Sequence, residues 1–172
     1  MKPTKILNLI IAAASAAIGS YILIRLAVGF GFRVPVSGLT FILTLPIIGG
    51  IVLAMTIPII RYRRALREFA KPGEANKPRP KRVDPFYAVR VVLLAKATAI
   101  TGSLFTGWHL GAVAVQAGLP VTPDTIWLNF SGFIGSLLMA IAGLIAERIC
   151  KIPQSGTAED NGGKSATEAS PA

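Results

Sequence analysis

The sequence predicts an all-α integral membrane protein, a bundle of four transmembrane helices with its N and C termini in the cytoplasm. Three observations support this fold class. Of the 172 residues, 52% are apolar and only 15% are charged, whereas an ordinary soluble domain is about 25% charged. Four long stretches carry almost no charge. The basic residues outnumber the acidic ones by 18 to 8 and are concentrated between two of these stretches, which is typical of membrane proteins.

The four uncharged stretches have the length of membrane spans, since an α-helix needs about 20 apolar residues to cross a bilayer. They contain 19, 27, 27 and 22 uncharged positions, at residues 6–24, 34–60, 97–123 and 125–146. With their flanks they predict spans at about 6–27, 37–60, 88–113 and 126–147. Together these spans form one four-helix domain over residues 1–152.

Helix start and stop signals agree with these spans. Ser37 is a candidate N-cap for the second span. Asp84 places a capping carboxylate before Pro85 at the first helical position of the third span. Residues 122–124, Thr-Pro-Asp, repeat this arrangement ahead of the fourth span. Pro72, followed by glycine, ends any helix that continues past the second span.

The distribution of charge predicts the orientation. Residues 61–90 hold ten basic and three acidic residues, a net +7 out of +10 for the whole chain. Because basic loops stay in the cytoplasm, we expect the 61–84 loop and both termini to lie inside, in the plasma membrane of a bacterium. The tail at 153–172 is rich in small and polar residues and is predicted to be disordered and cytoplasmic.

Small residues predict which helix faces pack against other helices. They recur every four residues in the third span and share one face of the fourth. Small side chains let backbones approach closely in lipid, where no hydrophobic force drives helices together. Packing within one bundle is the main interpretation, and a homodimer interface is the alternative. The residues are Ala95, Ala99, Ser103, Gly107 and Gly111 in the third span, and Gly132, Gly135, Ser136, Ala140 and Gly143 in the fourth.

Lys96 is predicted to lie several ångströms inside the hydrocarbon region. An intramembrane charge is costly and usually has a partner. Glu147 has a similar depth on the small-residue face of the fourth span, so we predict an intramembrane Lys96–Glu147 ion pair. In the alternative, Lys96 reaches toward lipid phosphates and Glu147 pairs with a basic residue at the surface. His109 is expected to be a hydrogen-bonding residue at the membrane interface rather than a proton-transfer site.

Several functional classes are disfavoured. Cys150 and His109 are the only residues of their types, so a disulfide within the chain and a Cys- or His-based metal cluster are excluded. The sequence has no phosphate loop, dinucleotide fingerprint or nucleophile elbow. We therefore expect no enzymatic activity, no cofactor and no metal site. Nucleic acid binding is not expected, because no folded platform accompanies the basic segment. Four arginines after the second span are expected to contact anionic lipid headgroups, namely Arg61, Arg63, Arg64 and Arg67.

Motifs along most of the chain resemble a known family. They are Arg61-Tyr62-Arg63-Arg64, Arg82-Val83-Asp84-Pro85, Val89-Arg90-Val91-Val92-Leu93-Leu94-Ala95-Lys96-Ala97, Thr101-Gly102-Ser103-Leu104, Gly107-Trp108-His109-Leu110-Gly111 and Glu147-Arg148-Ile149-Cys150-Lys151-Ile152-Pro153. Over residues 5–153 the chain resembles the actinobacterial four-helix membrane proteins of domain-of-unknown-function family 3180. His109 stands where this family commonly has a tyrosine.

The family has no established activity, so the resemblance implies little about mechanism. It implies a polar signature on the cytoplasmic side, formed by Asp84, Arg90, Lys96, Glu147 and Arg148. It also implies an association with folate or pterin biosynthesis, because genes of the family often lie near folate-biosynthesis genes.

Together these observations favour a non-catalytic accessory or scaffold protein. Its basic cytoplasmic face would dock a cytoplasmic or membrane protein partner or contact anionic lipid. The alternative is a small transporter that works as a dimer, because four helices make a narrow pathway. Few polar groups lie near the middle of any span, where transport sites are usually found.

Overall fold

The structure, a computed structural model, describes residues 4–69, 84–120 and 123–150. Within these residues all regular secondary structure is helical: α1 (Ile6–Gly29), α2 (Leu39–Phe69), α3 (Pro85–Ala117) and α4 (Ile126–Cys150). Each of the four helices is long and apolar enough to cross a membrane. The all-α fold class is confirmed, and the architecture is that of a multi-pass membrane protein.

Three helices extend further into polar sequence than predicted. α2 continues to Phe69, so Arg61–Arg67 are helical and do not belong to a loop. α3 begins at Pro85, and the Asp84 carboxylate accepts a hydrogen bond from the Phe86 amide at 2.9 Å. α4 continues to Cys150. The remainder of the predicted basic loop, Pro72, Thr122 and the predicted tail lie outside the described residues.

The helices do not pack in sequence order. α3 and α4 form the central pair, α1 packs on α3, and α2 packs on α4 with a smaller contact to α3. Among the described residues α1 and α2 do not touch each other, so the order across the bundle is α1–α3–α4–α2. Consecutive helices run in opposite directions. The start of α1, the end of α2, the start of α3 and the end of α4 therefore share one end of the bundle, which we call the basic end.

The Gly-x-x-x-Gly pair of α3 faces α1. A Cβ atom added to Gly107 would lie 2.8 Å from Ala16 Cβ and 2.9 Å from Ala17 N, and one added to Gly111 would lie 2.6 Å from Ala17 O. Separations this short leave no space for a side chain. The backbones of α1 and α3 therefore cross in direct contact, as expected for small residues at four-residue spacing.

The remaining small residues of α3 face α4 instead. A Cβ atom added to Gly143 would lie 2.6 Å from Ala99 N and 2.8 Å from Ala95 O. The predicted stripe omitted Gly102. A Cβ atom added to Gly102 would lie 2.6 Å from Ala140 N. The α3 stripe is thus divided between two neighbouring helices of the same chain.

The small face of α4 also has two neighbours. Gly135 packs on α2, since a Cβ atom there would lie 3.1 Å from Ile42 O and 3.4 Å from Pro46 Cδ. The hydroxyls of Ser103 and Ser136 are buried and donate to carbonyls of their own helices, Ile100 O at 2.7 Å and Phe133 O at 2.9 Å. They serve as small packing residues and do not link helices.

Replacing Gly107 by alanine tests the α1–α3 contact. We expect Gly107→Ala to destabilise the protein by about 1–3 kcal/mol, because the new methyl group overlaps the α1 backbone. The measurement is thermal unfolding of the purified protein in detergent.

Gly50→Ala is the matched control, since nothing lies within 4 Å of a Cβ atom added at Gly50. Alanine is a better helix former than glycine by about 1 kcal/mol, so this variant should be as stable as the wild type or more so. Equal stability of the two variants would contradict the packing described here.

Candidate functional site

Apart from serines and threonines, the described residues bury polar side chains at two places, one near each end of the bundle. Near the end opposite the basic end lie His109, Gln116 and Asn129, which are all almost fully buried. Near the basic end lies Glu147, of which 4% is exposed. Buried polar groups without hydrogen-bond partners are destabilising, so these two places are the candidates for function.

Asn129 holds the connection between α1 and α2. Its Nδ2 donates to Gln116 Oε1 at 3.0 Å and to Pro35 O at 3.3 Å, and its Oδ1 accepts from Ser37 N at 3.5 Å. Because α1 and α2 lie at opposite edges of the bundle, the connection has to cross the ends of α3 and α4. Ser37 therefore contacts α4 through its backbone amide, while α2 itself begins two residues later at Leu39.

Asn129 and Gln116 were missed by the sequence analysis. The available signal was their residue type: each is an amide side chain in a stretch of otherwise mostly apolar residues. Such a side chain is costly in lipid unless it has a partner in another helix or loop. Which partner it has depends on the helix order, and helix order is not readable from hydropathy.

His109 is a buried packing residue of the α3–α4 interface. It is 0% exposed, and a Cβ atom added to Gly132 of α4 would lie 2.6 Å from its Cε1. The ring of Phe41 lies 6.3 Å from the imidazole between centroids. Neither ring nitrogen has a hydrogen-bond partner among the described residues. The residue opposite His109 is a glycine without a polar side chain, so hydrogen bonding by His109 stays a prediction.

The group around His109 and Gln116 has unused hydrogen-bonding capacity. Gln116 Nε2 is also buried and has no partner in the part of the chain that the structure describes. An imidazole and an amide with free donors or acceptors can hold a water molecule or a small polar solute. Within the described part of the chain, no group of three His, Cys, Asp or Glu side chains is arranged to hold a metal ion.

At the basic end, the buried carboxylate of Glu147 binds the start of α1. Oε1 accepts a hydrogen bond from Thr4 N at 2.7 Å. Thr4 precedes the first turn of α1, and the N-cap residue Lys5 makes no side-chain capping bond. A carboxylate is stabilised at this position by the free amides and the dipole of the helix N-terminus. Glu147 of α4 thereby anchors the start of α1.

The predicted Lys96–Glu147 ion pair is not formed. Glu147 Oε1 accepts from Thr4, and Glu147 Oε2 is buried without a hydrogen-bond partner in the described structure. The preceding residue, Ala95, faces α4 at Gly143. One residue corresponds to a rotation of about 100° around the helix, which places Lys96 on the α1 side of α3. There Lys96 is half-buried and lines a groove together with Asn8.

The predicted polar cluster of Asp84, Arg90 and Arg148 is brought to one end of the bundle. Its members have separate surroundings. The Asp84 carboxylate accepts from the Phe86 amide and caps α3, whereas Arg90 and Arg148 are exposed on α3 and α4. Asp84 is therefore a structural capping residue.

The predicted headgroup arginines do not share one environment. Arg63 Nη1 donates to Ile149 O at 2.8 Å, where carbonyls of the last turn of α4 lack intrahelical partners. This interaction fixes α2 to α4, and contact of Arg63 with lipid headgroups stays a prediction. Arg61, Arg64 and Arg67 are exposed.

The contact between His109 and Gly132 is testable by a double-mutant cycle. In the wild-type background Gly132→Ala should destabilise the protein by about 1–3 kcal/mol, because the methyl group overlaps the imidazole. In the His109→Ala background the same change should be nearly neutral, because the ring is gone. Chemical or thermal unfolding in detergent gives the four free energies.

Gly19→Ala controls for the general effect of replacing a membrane-helix glycine, since nothing lies within 4 Å of a Cβ atom added there. If Gly132→Ala has the same effect with and without the His109 ring, the two residues are not in contact.

Comparison with known proteins relates the chain to one family. No curated protein and no solved structure matches it. One family model, described as a protein of unknown function (DUF3180), matches residues 9–154. The match runs from the first turn of α1 to beyond the end of α4, so it includes both buried polar places. The chain therefore belongs to the DUF3180 family.

Proposed function

We propose that the protein is a non-catalytic accessory protein of a bacterial plasma membrane, which recruits a cytoplasmic partner with an acidic surface to its basic end. The observation that carries this proposal is a set of exposed arginines contributed by three helices at that end. They are Arg61, Arg64 and Arg67 on α2, Arg90 on α3 and Arg148 on α4. The positive-inside rule favours a cytoplasmic position for this end and for both termini.

The length of α2 supports a role beyond anchoring. α2 continues from Arg61 to Phe69, which adds about 13 Å at about 1.5 Å per residue. The headgroup layer of one leaflet is only about 5–7 Å thick. Arg61 and Arg64 are therefore placed to contact anionic headgroups, and Arg67 reaches past them to the cytoplasm.

One hydrogen bond joins the α2 extension to α4, and a second joins the preceding part of α2 to α3. Arg63 Nη1 donates to Ile149 O at 2.8 Å, and Tyr87 OH donates to Met55 O at 2.9 Å. Residues three apart on a helix are neighbours on its surface, so Arg64 is a neighbour of both Arg61 and Arg67. A rigid display of guanidinium groups suits recognition of carboxylates and phosphates, because each group can donate two parallel hydrogen bonds.

Charge complementarity points to an acidic partner. Several exposed arginines at one end create a positive potential that attracts such a surface and speeds association. The folate and pterin enzymes that the family resemblance suggests are the first candidates for this partner.

Replacing Arg61, Arg64 and Arg67 together by glutamine tests the proposal. A crosslinked complex purified in mild detergent should contain an identified acidic protein, and the same protein should bind the purified wild type directly. We expect the triple variant to bind it at least tenfold more weakly, since a hydrogen bond to a charged group contributes about 1.5–3 kcal/mol.

The control replaces Arg25 and Arg33, which are exposed near the opposite end, by glutamine. This variant should bind the partner as the wild type does. If the triple variant retains full binding, or if direct binding to the wild type is absent, the proposed function is wrong.

A transporter of a small solute, working as a dimer, is the second candidate. It is favoured by the unpaired polar atoms of His109 and Gln116 inside the bundle. Against it, the hydroxyl of Thr106 already donates to Gly102 O of its own helix at 2.7 Å. Reconstituted vesicles that move pterins, folates or cations no faster than empty vesicles would exclude this function.

A further inference from the structure

A groove of about 380 Å³ lies between α1 and α3 at the basic end. Its polar wall includes Lys5, Asn8 and Lys96, and its apolar wall is formed by Leu9, Ala12 and Ile100. The two lysines come from different helices. The groove thus combines positive charge with an apolar surface.

The charge of Lys96 is not neutralised by the carboxylate at this end of the bundle. Glu147 is buried and directs one oxygen to the Thr4 amide, while its other oxygen has no partner in the described residues. Lys96 lies 11 residues after Pro85, about 16 Å along α3 at about 1.5 Å per residue. A lysine in a membrane-spanning helix requires an anionic partner or access to the interface.

The groove provides that access. Lys5 immediately precedes α1 and marks the interface, and Lys96 lines the same groove. Flanking α1 residues on this end are exposed and apolar, including Ile6 at 48% and Ile10 at 59%. In a membrane these side chains face lipid, so the groove is open to the lipid as well as to the interface.

We propose that this groove binds one anionic phospholipid. The phosphate lies between the ammonium groups of Lys5 and Lys96, where the side-chain amide of Asn8 can donate a further hydrogen bond. The acyl chain follows the apolar wall along Leu9, Ala12 and Ile100. Hydrogen bonds between an ammonium and a phosphate are charge-assisted and stronger than neutral ones.

A lipid explains the groove better than a free phosphate ion. A free ion uses the polar wall alone and leaves the apolar wall in contact with water, whereas a phospholipid covers both. The groove also lies at the α1–α3 edge, and Arg61, Arg64 and Arg67 project from α2 at the opposite edge of the bundle. The site is therefore separate from the arginines of the proposed partner surface.

Native mass spectrometry of the delipidated full-length protein tests this site. The probes are phosphatidylglycerol, phosphatidylcholine and inorganic phosphate. We expect one phosphatidylglycerol to bind in preference to phosphatidylcholine. Lys96→Gln, which is similar in size but uncharged, should weaken this binding about tenfold or more.

Two further variants separate charge from folding. Ala12→Phe fills the apolar wall without changing charge and should also weaken lipid binding, whereas Arg61→Gln on the opposite edge should leave it unchanged. If Lys96→Gln does not fold, Lys96→Arg and Ala12→Phe still test the site. Lys96→Arg retains the charge and should still bind the lipid, whereas Ala12→Phe should weaken lipid binding.

The proposal fails if phosphatidylcholine binds as tightly as phosphatidylglycerol, or if neither Lys96→Gln nor Ala12→Phe reduces binding. Displacement of the lipid by millimolar inorganic phosphate would also overturn it, because that result identifies a site for the free anion. Loss of partner binding in the Arg61/Arg64/Arg67 variant is independent of all these outcomes.

Discussion

Backbone contact between α3 and its neighbours positions the polar groups of this bundle. Lipid offers helices no hydrophobic reason to associate, so close packing of small residues has to supply much of the attraction. α3 meets α1 at Gly107 and α4 at Gly102 and Ala99. These contacts fix the rotation of α3 about its axis. That rotation turns His109 into the α4 interface and Lys96 toward α1, so both polar residues owe their surroundings to the glycines and alanines nearby.

The sequence was sufficient for the spans but not for the pairing of side chains. The bilayer sets a minimum number of apolar residues for each span. Because this requirement is visible in the sequence, all four helices were predicted. The bilayer does not set where a helix ends in water. The end of α2 at Phe69 was therefore missed. For Lys96 and Glu147, the shared depth followed from counting residues, but the side of the helix did not. The stripe of small residues on α3 was treated as a single face. It in fact contacts two different helices, α1 and α4.

The buried polar residues differ in how completely their hydrogen bonds are satisfied. Asn129 has partners in Gln116 and in two backbone groups, and it fixes the crossing connection. His109 and the second oxygen of Glu147 have none among the described residues. A buried group without a partner costs about 1–3 kcal/mol relative to a satisfied one. Stability alone therefore accounts for Asn129, whereas His109 and Glu147 are the residues whose presence calls for a functional explanation.

The helix order α1–α3–α4–α2 has a consequence for biogenesis. α1 and α2 are synthesised before α3 and α4, yet they occupy opposite edges and make no contact with each other in the described structure. A nascent chain that has inserted only this hairpin has no native interface to form. Both helices must remain in the bilayer as separate spans until α3 is inserted, and α2 gains its main partner only when α4 follows. Assembly of the native interfaces therefore begins with the insertion of α3 and is completed by that of α4.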